Sequence, residues 1–189
     1  MFLARRPSAA AISEFIAHSR QLPLSYEPIG IATQPQSRLT IDELTLTIGR
    51  GESAFRRAKL GLRQWKQFDV GWIEIVPNDA PINEGTVVAV LVRHLGFWSL
   101  NGCRVVYCIG ADEELEFGYA YGTLSNHAER GEEIFKVRMH AETGDVTYTL
   151  RAASEPRARL AWLGYPVTRA LQARFRRESA QAMARVIAS

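Results

Sequence analysis

The chain is short of the residues that usually announce a chemistry. Of its 189 residues only two are cysteine and four histidine, and neither a Cys-x-x-Cys pair nor a His-rich tract occurs, so a structural zinc site is not expected. Cys103 and Cys108 fall in one strand-like run, where an odd offset predicts opposite faces and no mutual disulfide. Two buried free thiols suit a reducing compartment, and a cytoplasmic location is expected. No apolar run approaches the roughly 18 residues of a membrane span, which excludes stable membrane insertion by a helix. Charge of one sign is also scarce, with 23 basic residues against 20 acidic ones. A net +3 argues against nucleic acid as a partner unless the charge is clustered. The basic face of the C-terminal region is diluted by Glu155 and Glu178 and has no set of stacking aromatics, so it reads as a solvated face. Internal repeats and low-complexity linkers are missing.

What is present is a globular composition, 47% hydrophobic and 23% charged. A compact chain of this length should bury about 70% of its unfolded surface. One domain over 1–189 is expected, with a helical extension at about 1–22. That extension begins "MFLARRPSAAAISEFIAHSR", where Glu14 and His18 interrupt any export-type apolar core. It predicts a short amphipathic helix opened by Ser8, with Ile12, Phe15 and Ile16 on one face. A mitochondrial transit peptide is the alternative that this composition leaves.

From Leu39 to Ile48 the text alternates as a half-buried strand. After "GRGES", Ala54, Phe55, Ala58, Leu62 and Trp65 recur at helical spacing, predicting about four turns with a basic outer face. "DVGWIEIVP" and five further runs read as strands: Thr86 to Leu95, Cys103 to Ile109, Leu115 to Thr123, Glu132 to His140 and Val146 to Ser154. Asn101-Gly102 and "ETGD" at 142–145 are hairpin signals. Turns this short predict an antiparallel meander. A short turn or helix follows over 155–164. Pro166 then opens a long helix with Val167, Leu171, Phe175, Met183 and Val186 or Ile187 as its apolar stripe, while Arg169, Arg174, Arg176, Arg177 and Arg185 fall mostly elsewhere. The expected fold is α+β, a curved antiparallel sheet of about seven strands closed over a long C-terminal helix. This order resembles the helix-grip architecture of the START-like superfamily, which includes pathogenesis-related plant proteins and polyketide cyclases.

At the level of motifs the chain resembles uncharacterised protein family 0548, a domain of unknown function. The resemblance is carried by "LPLSYEPIG", "IGRGESAFRRAKLGLRQWKQF", "EGTVVAV", "NGCRVVYC", "FGYAYGTLSNHAERGEEIFKV" and "YPVTRALQARF". It departs at Phe97 to Leu100, "FWSL", bulkier than the pattern. The family supplies no activity to carry over.

Candidate site residues concentrate in "GYAYGTLSNHAERGEE", residues 118–133. Phe117, Tyr119, Tyr121 and Thr123 share one strand face, either as core packing or as cavity lining whose hydroxyls orient a ligand. His127, in the following loop, is either an acid–base group or a loop anchor. Glu132 and Glu133 are adjacent and project to opposite faces, so they are not a catalytic pair. One of them should be buried and need an Arg, Tyr or His partner, with Arg169 and Arg104 as possible ones, and the other is either solvated or turned to the interior. Trp65 and Trp72 are placed to close one end, and Arg169 and Gln172 project from the last helix. Gly49-Arg50-Gly51 before a helix invites phosphate, but no Lys-Ser/Thr follows, so backbone geometry explains the glycines better.

The leading expectation is a binding or carrier module. It would hold a small apolar or amphipathic molecule between sheet and last helix, using Trp65, Tyr119, Tyr121, Thr123, His127, Glu132, Arg169 and Gln172. No cofactor is expected, and the oligomeric state is not legible. The alternatives are a cyclase-, dehydratase- or hydrolase-like enzyme using His127 and Tyr121, and an interaction domain docking through its basic helix at Arg174, Arg176 and Arg177.

Overall fold

The computed structural model describes residues 2–34, 39–111, 114–156 and 165–188. Helix α1 (Ala9–Ser19) is capped as expected, the Ser8 hydroxyl accepting from the Ala11 N–H at 3.2 Å. Helix α2 spans Gly51–Arg63 and α3 spans Tyr165–Ala188. The strands are β1 (Phe2–Leu3), β2 (Thr40–Arg50), β3 (Ile73–Val76), β4 (Val87–His94), β5 (Phe97–Ile109), β6 (Glu116–Thr123), β7 (Glu129–Met139) and β8 (Asp145–Pro156). All pairings are antiparallel. The order β2-β8-β7-β6-β5-β4-β3, with β1 beside β5, is a six-strand meander joined at one edge by the earlier β2. The turn or helix expected over 155–164 falls outside the described residues, except that Glu155 and Pro156 close β8.

Three expectations need correction. Asn101 and Gly102 lie inside β5, and the β4–β5 turn is made by Leu95 and Gly96, both at positive φ (49° and 80°). An Asn-Gly pair marks a turn only where the flanking pattern breaks, and here apolar residues continue on both sides. Helix α2 stops at Arg63 because Trp65 adopts a left-handed backbone at φ 57°. The third concerns the cysteines. A β-bulge between Val105 and Tyr107 shifts the register, so Cys103 faces Thr123 and Cys108 faces Tyr119. Opposed residues share a sheet face, and the extra residue therefore cancels the odd offset. Both thiols lie on the concave side and both are free, Cys103 buried and Cys108 exposed rather than buried.

Helices α2 and α3 fill the concave face. Their contact with the sheet is an apolar cluster that includes Phe55, Leu62, Phe68, Phe135, Phe175 and Met183. The Phe68 ring stacks on Phe175 with centroids 5.3 Å apart and meets Phe135 edge-on at 5.3 Å. Trp72 fixes the β3 edge to α3: its indole N–H donates to Glu178 at 2.6 Å, and Arg174 lies 4.8 Å over its ring. The stripe of α3 is less apolar than expected. Ser179 is fully buried within it and shares a 2.7 Å hydrogen bond with the Tyr148 hydroxyl, while Val167 is 45% exposed. The convex face is covered too, by Ile12 and Ile16 of α1 against Val87, Ala89, Leu91 and Leu100.

The Gly49-Arg50-Gly51 turn has a backbone explanation. Gly51 sits at φ 82° and its N–H donates to the Gly144 carbonyl at 2.8 Å, so that donor at the start of α2 is already taken.

Candidate functional site

Between the concave face and α3 lies a cavity of about 220 Å³. Sheet order gives its wall a polarity gradient. At the β3–β4 edge the lining is Trp72, Ile73, Val90 and Val92, continued by Phe68 and Phe175, with His94 of β4 and Ser99 and Asn101 of β5 as the polar groups there. Toward β7, β8 and β2 it becomes Glu129, Glu133, Ser154 and Asp42, facing Gln172 and Arg176 of α3. One molecule can therefore rest apolar surface at one end and hydrogen-bonding groups at the other.

The polar end is held by short, local rules. Asp42 stands in the inward register of β2 with Leu44 and Ile48, so its carboxylate points under α3. Arg169 binds it with both terminal nitrogens, one at 2.6 Å, and Arg176 approaches at 3.2 Å. The Asp42 and Arg176 side chains are only 11% and 15% exposed, so this pair is enclosed by protein rather than screened by solvent. Arg176 is thus an inward residue of α3, contrary to its expected surface position.

Glu133 continues the inward register of Phe135 and Val137 on β7. It is partly accessible, as a residue of the cavity wall, and accepts the Tyr121 hydroxyl at 2.7 Å. Burial pushes its carboxyl up to about 7, opposed by the Tyr121 hydrogen bond and Arg176, with Glu129 and Asp42 adding to the rise. Burial likewise raises Glu129, against the pull of Gln172 and Arg169. Gln172 donates to both Glu129 oxygens at 3.0 and 3.1 Å and accepts from Arg169 at 2.8 Å.

The predicted residues separate clearly. Tyr121, Thr123, His127, Glu132 and Gln172 all border the cavity. Trp65 does not: it is 3% exposed and its indole N–H donates to the Ala80 carbonyl at 2.8 Å. Tyr119 is fully buried beside it, its hydroxyl bonded by Gln67. Arg169 stands behind the wall, clamped to Asp42. The Thr123 hydroxyl is already engaged, by Ser25 at 2.6 Å and by the Gly131 N–H at 2.9 Å. His127 Nδ1 accepts the Glu129 N–H at 2.9 Å, next to the Glu129 carbonyl at 3.1 Å.

Glu132 and Glu133 do face opposite ways, Glu132 buried and Glu133 partly accessible, and each takes tyrosine partners in place of Arg169 and Arg104. The Glu132 carboxylate turns to the convex side, where Tyr26, Tyr107 and the Gly30 and Ala32 N–H groups donate at 2.7, 2.8, 2.8 and 3.4 Å. Tyr26 reaches it across Gly122, where a Cβ would lie 2.4 Å from the Tyr26 oxygen. Arg104 instead donates to the Arg20 and Leu22 carbonyls. Of Phe97 to Leu100, Ser99 borders the cavity, whereas Trp98 and Leu100 pack on the convex side with α1.

An antiparallel sheet wrapped on a long C-terminal helix, with a lined space between them, defines a helix-grip protein. Residues 25–182 match the family model described as "Domain of unknown function (DUF1990)", and the chain belongs to that family. It is 33% identical to a UPF0548 protein of Dictyostelium discoideum over 209 residues, covering 100% of this chain and 97% of that protein. A UPF0548 protein of Deinococcus radiodurans is 32% identical over 198 residues, covering 98% of each. Among solved structures, TTHA0849 from Thermus thermophilus is similar with a TM-score of 0.53 at 13% identity, over 78% of this chain and 97% of that one. A norcoclaurine synthase point mutant from Thalictrum flavum, in complex with a transition-state analogue, has a TM-score of 0.50 at 10% identity, over 82% and 97%. At such identities the likeness is one of fold. Among the described residues no helix is long and apolar enough to cross a membrane.

Proposed function

We propose that the protein is a binding or carrier module for a small amphipathic molecule held between its sheet and α3. The observation that carries this reading is the cavity of about 220 Å³, with its aromatic and aliphatic surface concentrated at Phe68, Trp72, Ile73, Val90, Val92 and Phe175 and its carboxyl groups at β7 and β2. Apolar burial would supply affinity, at about 25 cal/mol per Å² removed from water, and the polar end would set orientation. Acid–base catalysis by His127 and Tyr121 fits the geometry less well. The His127 Nδ1 lies against the Glu129 main chain and the Tyr121 proton is donated to Glu133, so both of these atoms are already engaged within the protein.

Native mass spectrometry of freshly purified protein, followed by denaturing extraction, is expected to show a small molecule bound one to one. Filling the apolar end with Val90→Phe should reduce that occupancy several-fold. A protein that carries nothing, and an apolar fluorescent probe whose binding is indifferent to Val90→Phe, would overturn the reading.

A further inference from the structure

Among the described residues, carboxyl groups outnumber guanidinium groups at the polar end of the cavity. Its wall and immediate backing hold three carboxyl groups, Asp42, Glu129 and Glu133, against two guanidinium groups, Arg169 and Arg176. Both guanidiniums converge on Asp42. Glu133 then receives a phenol proton and Glu129 a side-chain amide, and among the described residues neither forms an ion pair. The wall also carries two imidazoles, His94 of β4 and His127, whose Nδ1 lies 2.9 Å from the Glu129 main-chain nitrogen. A metal ion does not fit this arrangement, since among the described residues no three His, Cys, Asp or Glu side chains gather closely enough to hold one. What fits two carboxyls at one end of a space whose other end is Trp72, Phe68 and Phe175 is an organic cation on an apolar body. Hydrogen bonds from such a group to carboxylate are charge-assisted, and its apolar part meets aromatic faces.

We infer that the cavity selects an amphipathic amine, whose protonated nitrogen lies between Glu129 and Glu133 and whose apolar part rests on the β3–β4 end. This rests on the cavity-binding reading and adds to it the charge class of the occupant. A carboxylate or phosphate ligand would face the same two groups with like charge, while Arg169 and Arg176 are both turned to Asp42. The inference also sets a pH direction. Glu133 faces Glu129 from its own strand, Asp42 from β2, Arg176 from α3, Tyr119 and Tyr121 from β6, Cys103 from β5 and Tyr148 from β8. Its raised carboxyl is ionised above neutrality, and amine preference should grow as pH rises through that range.

Three probes of similar size isolate the charge: 2-phenylethylamine, 2-phenylethanol and 3-phenylpropionate, titrated into the full chain and followed by Trp fluorescence and calorimetry. At pH 8 the amine is expected to bind at least about tenfold tighter than the alcohol, equivalent to about 1.4 kcal/mol, with the carboxylate weakest. The amine-to-alcohol ratio should fall several-fold between pH 8 and pH 6, and fall toward one in Glu133→Gln and in Glu129→Gln. The pH series on the unaltered protein keeps the test valid if either variant folds poorly. Equal binding of amine and alcohol at pH 8, or tighter binding of the carboxylate, overturns the charge assignment while leaving the cavity-binding reading standing. Failure of all three probes to bind, in protein that also carries no small molecule, removes both.

Discussion

Replacing Glu133 with glutamine should make the protein more stable at alkaline pH, although the residue sits at the centre of the cavity's polar end. Burial raises its carboxyl from the usual 4.5 to about 7 in the folded state. A folded pKa above the unfolded one means that the folded chain holds the proton more tightly. The associated stabilisation is therefore complete below about pH 4.5 and is lost as pH rises through about 7. At about 1.4 kcal/mol per pKa unit, the loss at pH 8 is roughly 3 kcal/mol, and an accessible path to the cavity makes that an upper figure. Glutamine is a permanent analogue of the protonated acid, and its carbonyl can still accept the Tyr121 hydroxyl. Urea unfolding of both proteins from pH 5 to pH 8 should show Glu133→Gln gaining 2–3 kcal/mol at pH 8, roughly 5–10 °C in melting temperature for a chain of this size. At pH 5 the gain should shrink to below about 1 kcal/mol. A difference that is flat across the range, or a variant less stable at pH 8, would refute the burial of an ionisable Glu133.

Two further substitutions test the surrounding network. Asp42→Asn removes the anion that Arg169 and Arg176 share, leaving both guanidiniums under-compensated inside the protein. It should cost about 3 kcal/mol in urea unfolding, whereas a cost under about 1 kcal/mol would mean a solvent-screened pair. Glu132→Gln sets an amide donor against two phenols and two N–H groups on the convex face, at an expected cost of about 2–4 kcal/mol. Limited proteolysis should then cut within 22–34 faster than in the parent, and unchanged cleavage would mean that the segment is held by apolar packing alone.

The fold was legible because its signals are repetitive. Alternation along β2 and β4 to β8, helical spacing in α2 and α3, and the Thr143-Gly144 turn each restate one period several times, so a single odd residue does not change the outcome. Where one residue decides, the reading failed. The Val105–Tyr107 bulge reverses the face of Cys108 without any mark in composition, and Trp65 at positive φ ends a helix that its spacing would continue. The meeting of Tyr26 with Glu132 depends on a contact 106 residues apart, which periodicity cannot report. Half of the candidate site was readable from the 118–133 stretch, because neighbours on one strand face stay neighbours in space. Trp65 and Tyr119 dropped out of the wall because face alone does not tell a residue beneath the cavity from one beside it.

One signal was present and unused. Asp42 shares the inward register of Leu44 and Ile48, Glu133 that of Phe135 and Val137, and Arg176 the α3 face of Met183 and Ile187. A charge placed in an apolar register must be matched by a partner or it weakens the fold. Asp42 and Arg176 match each other across sheet and helix, and together with Arg169 they account for one carboxylate. Among the described residues Glu133 forms no ion pair and, being raised by burial despite the pull of Arg176, it subtracts stability at and above neutral pH. A side chain that weakens the folded state while facing a cavity points to a role in occupancy rather than in folding. By that logic the occupant should restore what the residue removes. A bound ammonium would raise the melting temperature most at alkaline pH and least in Glu133→Gln, whereas a ligand held by apolar contact alone would raise it about equally across that range and in both proteins.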